Sequence, residues 1–368
     1  MITAAADGSM TGDPQGHVAL VRSGVLDWLE SVRHRGDGWG RWKYNAAMTR
    51  PWALQASGIA IDLLHRLGAL AGVSDARKAE VVAFLQSCQD PGDHLLKDPL
   101  ETEADHEGDH TWEQIWGQRN GAAVAALGLL GAEPLLPLAK AQFADLRGVD
   151  GRAWTLSLDW RNPWMHGESW YRAIHAYLRT LPVEERDDTD PVLAGMFAAI
   201  ESEVLDPKTG LPTRRGCSDD PARAMAGLFK IMFGYLAVGR PLPRAEQAVD
   251  STLALQRANG EFGYPRNMCM NWDALWVLRE LDRQLEGSHR HADIVGAADA
   301  TCEVLLNEYH KDDGGFAFHG EHCMVNHHSV RLCERPLPIS DMLGTSMCLR
   351  CLEYGDEWHG RGPGDTET

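Results

Sequence analysis

The sequence predicts an all-α protein, an (α/α)6 toroid or barrel built from six helix-loop-helix repeats. Three observations support this fold class. A helix, a loop that contains glycine with an aromatic residue or proline, and a second helix recur at intervals of roughly 45–60 residues, as in repeat architectures. The second helix of each pair is the more apolar, with Ala, Gly and Leu on several faces, which is typical of buried helices. No stretch alternates polar and apolar residues for long enough to form a sheet.

The six predicted repeats follow one another along the chain. In the first, a helix over residues 17–33 is followed by the loop Gly36–Gly40 and by a helix from Pro51 to residue 68. The other pairs of predicted helices cover 78–88 and 115–131, 137–146 and 169–178, 191–205 and 221–239, 244–256 and 272–284, and 292–309 and 340–355. If the six inner helices run parallel, every loop from an outer to an inner helix lies at the same end of the ring.

Residues that favour helix N-termini mark several of the inner helices. Pro51 and Pro221 suit the first helical position, where a missing N–H costs nothing. Asp220, Asn271 and Ser340 are predicted N-caps, because their side-chain oxygens can accept hydrogen bonds from free backbone N–H groups. Polar side chains are therefore expected to converge where the inner helices begin.

The 368 residues are predicted to form one domain over 17–356, between a flexible N-terminus (1–16) and a flexible tail (357–368). The net charge of −18 and the isoelectric point near 5.3 argue against nucleic acid and against an anionic membrane surface as partners. The longest apolar stretch, from Gly121 to Ala132, is too short for membrane insertion, and the N-terminus lacks the features of a secretory signal. Eight scattered cysteines show no disulfide pattern, so a cytoplasmic protein with reduced thiols is expected.

Three segments share a pattern in which glycines and an aromatic residue precede an apolar helix. They are DGWGRWKYNAAMTRPWALQA, NGEFGYPRNMCMNWDALWVLREL, and DGGFAF followed by SDMLGTSMCLRCLEY. This pattern resembles the repeats of the terpenoid cyclase and protein prenyltransferase toroid superfamily, and the resemblance implies the α/α toroid. The catalytic motifs of that superfamily are absent, since Asp187–Asp190 does not match the Asp-x-Asp-Asp general acid of class II cyclases and the zinc-binding Asp-x-Cys pair has no counterpart. Sugar-processing enzymes also use (α/α)6 barrels, so the fold does not determine the chemistry.

Carboxylates recur where the predicted inner helices begin. The polar residues there are Arg50; Glu113, Gln118 and Arg119; His166 and Glu168; Asp219 and Asp220; Asn271 and Asp273; and Asp341. Paired carboxylates at one end of a ring can act as general acid and base if burial separates their pKa values. The predicted catalytic residues are Glu168, Asp220, Asp273 and Asp341, with His166 as a proton shuttle. The alternative is that these acids only cap helices, because carboxylates stabilise helix N-termini wherever they occur.

Aromatic and basic side chains near the same loops indicate a substrate site. The chain has 13 tryptophans, and tryptophan faces can stack on sugar rings or stabilise carbocations. Guanidinium groups can bind a carboxylate or phosphate in bidentate fashion. The predicted substrate-binding residues are Trp112, Glu113, Trp164, Arg215, Arg266, Asn271 and Trp272. Packing of the tryptophans at helix ends and pairing of the arginines with nearby acids are the alternatives.

The last long loop is rich in possible zinc ligands, namely His319, His322, Cys323, His327, His328 and Cys333. Their spacing matches no closed zinc motif, so neither a metal site nor a cofactor is predicted, and zinc stays an alternative. The sequence contains no phosphate-binding P-loop, dinucleotide fingerprint or Gly-x-Ser-x-Gly nucleophile motif.

The leading hypothesis is an enzyme that acts on a carbohydrate, an acidic oligosaccharide, by hydrolysis or elimination. An isoprenoid cyclase or prenyltransferase-like enzyme is the alternative, but its cavity should be lined by aromatic side chains, whereas the predicted inner helices carry mostly Ala, Gly, Leu and Met. A non-catalytic binding toroid is the third hypothesis, and it requires exposed acids with ordinary titration. The expected partner is a small molecule or an oligosaccharide, and the oligomeric state is left open.

Overall fold

The computed structural model describes residues 16–108, 110–138, 146–217, 219–262 and 266–361, apart from the side chains of Glu113, Gln114, Gln118 and Glu185. Over these residues the chain is mostly helical, with 12 α-helices and one short β-hairpin, and the all-α prediction is confirmed. None of the described helices combines the length and the apolar character that crossing a membrane requires. The predicted flexible N-terminus, except Gly16, lies outside the described residues.

The helices follow the predicted order of pairs. They are α1 (His17–Ser31), α2 (Leu54–Arg66), α3 (Asp75–Ser87), α4 (Trp112–Leu129), α5 (Gly151–Ser157), α6 (Pro163–Leu178), α7 (Pro191–Ala199), α8 (Pro221–Ala237), α9 (Ala245–Leu253), α10 (Met268–Gln284), α11 (His291–Val304) and α12 (Met342–Trp358). Single turns of π-helix extend α7 and α11 over Ile200–Val204 and Leu305–Tyr309, and short 3-10 turns cover Leu70–Gly72, Glu103–Asp105 and Val183–Glu185. Strands β1 (Asn326–His327) and β2 (Val330–Arg331) pair antiparallel in the loop before α12.

The third pair differs most from the prediction. The predicted helix over 137–146 lies largely outside the described residues, and α5 lies in a segment predicted as loop. At the other end of the chain, α12 continues to Trp358, past the predicted domain limit at residue 356. The domain limits otherwise stay a prediction.

The even-numbered helices contact one another. Helix α2 packs against α4, α6 against α8, α8 against α10, α10 against α12, and α12 against α2. Arg172 of α6 donates a hydrogen bond to the Gly117 carbonyl of α4 at 3.3 Å. Helices α2, α8, α10 and α12 bury nine to twelve residues each, whereas α1 and α3 bury four and three. The second helix of these pairs is thus the buried one, as the sequence predicts.

Two glycines explain the repeated glycine-aromatic pattern. Gly314, after α11, has φ +97°, and a Cβ there would lie 2.8 Å from the carbonyl carbon of Gly24 in α1. Gly260, after α9, has φ +89°, and a Cβ there would lie 2.6 Å from the carbonyl oxygen of Ala300 in α11. A left-handed backbone in close contact with another backbone requires glycine. The loop of one repeat therefore packs on the first helix of the next, and the last loop packs on α1.

The start of α1 is also bound to the end of α12. The Asp356 carboxylate accepts hydrogen bonds from the backbone N–H groups of His17 and Val18 at 2.7 and 3.1 Å. The His17 imidazole lies 2.9 Å from the same carboxylate. This arrangement satisfies free N–H groups of the first helix with a side chain of the last one.

Candidate functional site

Charged side chains of α6, α8 and α10 meet among the even-numbered helices. We name Glu168, Arg172, Lys230, Asp273 and His328 the inner polar cluster. The Glu168 carboxylate lies 2.5 Å from Arg172 Nη2 and 3.0 Å from Lys230 Nζ. Between 17 and 21% of these three side chains is exposed, so solvent reaches this part of the cluster.

The two carboxyl groups of the cluster have pKa values shifted in opposite directions. Burial raises the pKa of Glu168, but Lys230 and Arg172 together outweigh it and hold the pKa at about 2. Burial raises the pKa of Asp273 well above its usual value, more than Lys230 lowers it, and the charge of Glu168 adds to the increase. The two carboxyl groups therefore have strongly separated pKa values, and acid-base catalysis by paired carboxyl groups requires such a separation.

Lys230 stays charged although it is buried. Burial would lower its pKa, but Glu168, Tyr171 and Asp273 outweigh that effect, and the pKa of Lys230 is raised. The same holds for Arg172, whose pKa is raised because Glu168 and Tyr171 outweigh burial. Two cations thus face one carboxylate, and the cluster carries a net positive charge while Asp273 is protonated.

His328 reaches the cluster from the β1–β2 hairpin. Its φ is +46° and that of Ser329 is +63°, so both central residues of the turn are left-handed, as in type I′ hairpin turns. Ser329 Oγ lies 2.8 Å from His110 Nδ1 and accepts the His110 backbone N–H at 3.2 Å, which ties the turn to the loop before α4. Burial, with the charge of Arg119, lowers the pKa of His328 to about 3 and leaves a neutral imidazole.

Buried polar atoms without a hydrogen-bond partner concentrate around this cluster. Among the described residues, such atoms include Arg172 Nε, Asp273 Oδ2, His327 Nδ1 and His328 Nδ1. The ring centroids of His327 and His328 lie 3.9 Å apart. Native proteins satisfy nearly all buried polar groups, so a local concentration of exceptions is typical of a ligand site.

A second feature, which we name the tryptophan cleft, lies between the end of α3 and the first two turns of α4. It has a volume of about 500 Å³, and its lining includes Asp98, Glu101, Glu103, Trp112 and Trp116. The two tryptophan rings stack with centroids 5.5 Å apart and an angle of 24°. A volume of this size lies within the usual range for small-molecule sites.

Two carboxyl groups of the tryptophan cleft are nearly inaccessible. Burial and the neighbouring Glu101 raise the pKa of Asp98 to about 6, although Asp98 accepts backbone N–H groups of Leu54 and Leu100. Glu101 lies 2.9 Å from Arg119, and each of these two side chains is only 1% exposed. The charge of Arg119 also lowers the pKa of His328, so this arginine interacts electrostatically with the inner polar cluster as well as with Glu101.

Of the five predicted catalytic residues, the structure brings Glu168 and Asp273 together. Asp220 instead caps α8, where it accepts the Arg223 N–H at 2.9 Å, and its side chain is 47% exposed. His166 lies in the first turn of α6, half-buried, with a pKa lowered by burial. The position of Asp220 matches the helix-capping alternative.

Asp341 is fully buried at the start of α12. Its carboxylate accepts backbone N–H groups of Gly344 and Phe318 at 2.8 Å and of Met324 at 3.0 Å. Burial nevertheless raises its pKa to about 6. Asp341 thus binds the last loop to the start of α12. A catalytic role for Asp341 stays a prediction, and the three backbone N–H groups that its carboxylate accepts do not favour it.

The predicted substrate-binding residues are dispersed. Trp112 lines the tryptophan cleft, whereas the side chain of the neighbouring Glu113 lies outside the described residues. Trp164 is half-buried against the core. Trp272 donates from Nε1 to the Tyr354 hydroxyl at 3.2 Å and belongs to the interior of the helix packing.

The other three predicted substrate-binding residues make internal contacts. Asn271 is fully buried and accepts the Phe262 N–H at 2.8 Å. Arg266 pairs with Glu261 at 2.7 Å and also with Glu308. Arg215 is exposed and donates to the Leu156 carbonyl at 3.4 Å. These contacts match the internal-pairing alternative for Arg266.

Aromatic side chains of α8 and α10 form a group that the sequence did not predict. Phe229, Phe233, Trp272 and Trp276 have ring centroids 4.7–5.2 Å apart in four pairs. Lys230 Nζ lies 5.3 Å from the centroid of Phe229. Ala, Gly, Leu and Met still supply most of the buried residues of α8, and the aromatic side chains that face one another between α8 and α10 are an addition to them.

The possible zinc ligands of the last loop do not assemble into a metal site. Within the described parts of the chain, no three His, Cys, Asp or Glu side chains are placed to hold a metal ion together. The sulfur atoms of Cys323 and Cys333 lie 4.0 Å apart, and all eight cysteines are free. The loop instead contributes His327 and His328 to the interior.

Sequence reasoning missed Arg172, Lys230 and His328 as site residues. Arg172 follows Glu168 by four positions on one helix, a spacing that brings side chains into contact. Lys230 is a lone charge in the apolar stretch GLFKIMFGYLAV, which is also a detectable signal. His328 had no such signal, since its placement depends on a turn with two left-handed residues that are not glycine.

No family model matches the sequence, and no curated protein matches it. Among solved structures, one named as a polysaccharide lyase is similar, with a TM-score of 0.46 and 11% sequence identity. The similarity covers 91% of this chain and 97% of that chain. At this TM-score the likeness supports no conclusion about fold or activity, and the function has to be inferred from the residues.

Proposed function

We propose that this protein is an enzyme that cleaves an acidic oligosaccharide at the inner polar cluster. One observation carries the proposal: the partly exposed Glu168–Lys230 ion pair acts electrostatically on Asp273, whose Oδ2 is buried without a hydrogen-bond partner among the described residues. A carboxylic acid with unused hydrogen-bonding capacity beside a carboxylate is typical of a general acid in glycosidic bond cleavage.

The helix contacts support an (α/α)6 toroid as the frame of this site. Helix α12 packs against both α10 and α2, and the Gly314 loop packs on α1, so the series of repeats returns to its start. In such a ring the even-numbered helices face the axis. Glu168, Lys230 and Asp273 then occupy three successive inner helices, which explains how residues 105 positions apart in sequence meet.

Each residue of the cluster has a role in this proposal. Asp273 donates its proton to the oxygen of the bond that breaks, because the leaving group is otherwise a poor one. Glu168 remains ionised and holds Arg172 and Lys230 in position. Since these two cations face only one carboxylate, the cluster attracts a further anion, and the carboxylate of an acidic sugar fits that charge.

The test is cleavage of acidic oligosaccharides, compared with neutral oligosaccharides of the same length, measured by the release of new reducing ends. Asp273→Asn should lower kcat by about 10²–10⁴-fold. It should leave the melting temperature nearly unchanged, because the amide resembles the protonated acid that burial already favours. Asp293→Asn, at an exposed acid in the first turn of α11, is the matched control and should retain activity. Full activity of Asp273→Asn, or no cleavage of any acidic oligosaccharide, would contradict the proposal.

Isoprenoid cyclisation is the second candidate, favoured by the aromatic group on α8 and α10. Trp276 follows Asp273 by three positions in α10, so an acid with a raised pKa and a ring that can stabilise a carbocation lie on the same side of the helix. Thermal-shift measurements separate the candidates, since a ligand that binds only the folded state raises the melting temperature. Stabilisation by isoprenyl diphosphates and not by acidic oligosaccharides would favour cyclisation. A non-catalytic toroid is least favoured, because the carboxyl pKa values in the cluster are strongly shifted.

A further inference from the structure

One wall of the tryptophan cleft is the loop that follows α3, and hydrogen bonds hold this loop in place. Asn120 of α4 accepts the Leu96 N–H at 2.9 Å and donates to the Leu96 carbonyl at 3.0 Å. Asp98 accepts the N–H groups of Leu54 and Leu100 at 2.8 and 2.9 Å. The cleft is therefore preformed, and a ligand that enters it does not have to order the wall.

Trp112 and Trp116 form the aromatic surface of the cleft, and each side chain is only half-buried. Because their near-parallel rings have centroids 5.5 Å apart, the stacking is offset and each ring covers only part of the other. The Trp112 indole N–H donates to the Glu103 carboxylate, which fixes the orientation of that ring. The two tryptophans thus present apolar ring surface in a fixed orientation, on which the C–H face of a sugar ring can pack.

The charges of the cleft disfavour an anionic ligand. Among the described residues that line the cleft, the one basic side chain is Lys97, whose Nζ lies 3.1 Å from Asp90 and 2.6 Å from Asp93. The other lining charges are carboxyl groups, and that of Glu101 pairs with the buried Arg119 at 2.9 Å. An anion in the cleft would therefore meet carboxylates and a lysine that two acids already neutralise.

A cationic ligand is disfavoured for a different reason. Lys97 Nζ lies 4.3 Å from the centroid of the Trp116 ring, which is the position that a ligand cation would take on that ring. An uncharged ligand is opposed by neither effect. Its hydroxyl groups can donate to the carboxylate of Glu103, which is exposed, and hydrogen bonds to an ionised acceptor are stronger than those between neutral groups.

We propose that the tryptophan cleft is a binding site for an uncharged sugar unit. A sugar ring combines an apolar C–H face with a rim of hydroxyl donors, and the cleft offers a matching surface for each. The face packs on Trp112 and Trp116, and the hydroxyl groups donate to Glu103. This inference goes beyond the proposed function, because binding at the cleft does not depend on cleavage at the inner polar cluster.

Isothermal titration calorimetry of the Asp273→Asn protein measures binding without cleavage. Cellotriose, maltotriose and mannotriose are the uncharged probes, and trigalacturonate is the acidic probe of the same length. At least one uncharged trisaccharide should bind, and Trp112→Ala in the same background should raise its Kd at least about 5-fold. Trp154→Ala, at another half-buried tryptophan in α5, is the matched control and should leave this Kd unchanged.

Glu103→Ala tests the polar side of the cleft, and it also serves if Trp112→Ala fails to fold, because Glu103 is exposed. Loss of the carboxylate should raise the Kd of the uncharged trisaccharide about 3- to 10-fold. Trigalacturonate, which the inner polar cluster is proposed to bind, should keep its affinity in both the Trp112 and the Glu103 variant.

Three results would overturn the inference. They are no binding of any uncharged trisaccharide at millimolar concentration, binding that the two cleft variants leave unchanged, and a Kd for trigalacturonate that rises in these variants as it does for the uncharged sugar. Each of them can occur in a protein that still cleaves acidic oligosaccharides. Absence of cleavage, with binding at the cleft retained, would instead contradict only the proposed function.

Discussion

Replacing Gly314 by alanine should destabilise the protein more than the same change at Gly68. Both glycines are left-handed, with φ +97° and +67°, so both variants incur the backbone cost of roughly 1–2 kcal/mol. At Gly68 nothing lies within 4 Å of the new Cβ, whereas at Gly314 the Cβ would lie 2.8 Å from the Gly24 carbonyl carbon. Because backbone atoms of α1 must shift, we expect a further loss of about 1–3 kcal/mol at Gly314.

Urea unfolding followed by tryptophan fluorescence measures this difference. The midpoint should fall further for Gly314→Ala than for Gly68→Ala while the slope stays constant, since the change affects stability and not the surface exposed on unfolding. Equal losses for the two variants would mean that the loop after α11 does not press on α1. Closure of the repeats through the Gly314 loop would then be refuted.

Three further predictions concern other parts of the molecule. Arg119→Met should cost about 1–3 kcal/mol in urea unfolding, because it removes the closer of the two arginines that pair with the buried Glu101 and leaves only Arg50, at 3.5 Å. Arg161→Met at an exposed pair should cost almost nothing, and similar losses for the two variants would refute the difference. The pKa of His328 is about 3 in the folded protein and 6.5 for the free side chain. The unfolded chain therefore binds the extra proton between these values, stability falls as the pH drops below about 6.5, and His328→Asn should flatten that decline; an unchanged pH profile of unfolding would contradict this. Trp112→Ala should raise the KM for oligosaccharides with little change in kcat if the tryptophan cleft binds sugar rings, and an unchanged KM would exclude such binding.

The arrangement of helices could be predicted because it is encoded locally. The apolar faces of the second helices distinguish buried from outer positions, and the helix starting at Pro221 with Asp220 as its cap follows from neighbouring residues alone. The same reasoning explains why Glu168 and Asp273 were found, since each is an acid near the start of a predicted inner helix.

Features that depend on distant residues could not be predicted. Helix α2 begins at Leu54 and not at Pro51, because Asp98 from a later loop accepts the Leu54 N–H at 2.8 Å. At α12 the cap is Asp341, whereas the predicted cap, Ser340, donates its hydroxyl to Asp313. The cap of α10 is Asn267, one turn before the predicted position. For α2 and α12, a hydrogen-bond partner elsewhere in the chain determines where the helix begins or which residue caps it. For α10, the helix begins one turn earlier than predicted.

The chemical states of the candidate site residues also depend on residues that are distant in sequence. The opposite pKa shifts of Glu168 and Asp273 depend on tertiary packing, because Lys230 and Arg172 lower the pKa of Glu168 whereas burial raises that of Asp273. The position of His328 depends on a hairpin whose left-handed residues are held by His110 and Glu107. Residue types and spacing therefore located the acids, but their chemical states are set by tertiary packing.

The contact between the first and last helices has a consequence for synthesis of the chain. The N–H of His17 and its acceptor Asp356 are separated by 339 positions. At about 5–20 residues per second, α1 therefore emerges from the ribosome roughly 17–70 s before its partner in α12. During that interval the apolar face of α1, which includes Val21, Val25 and Trp28, has no native partner in α12. Nascent chains that stop before α12 should consequently depend on chaperones to stay free of aggregation.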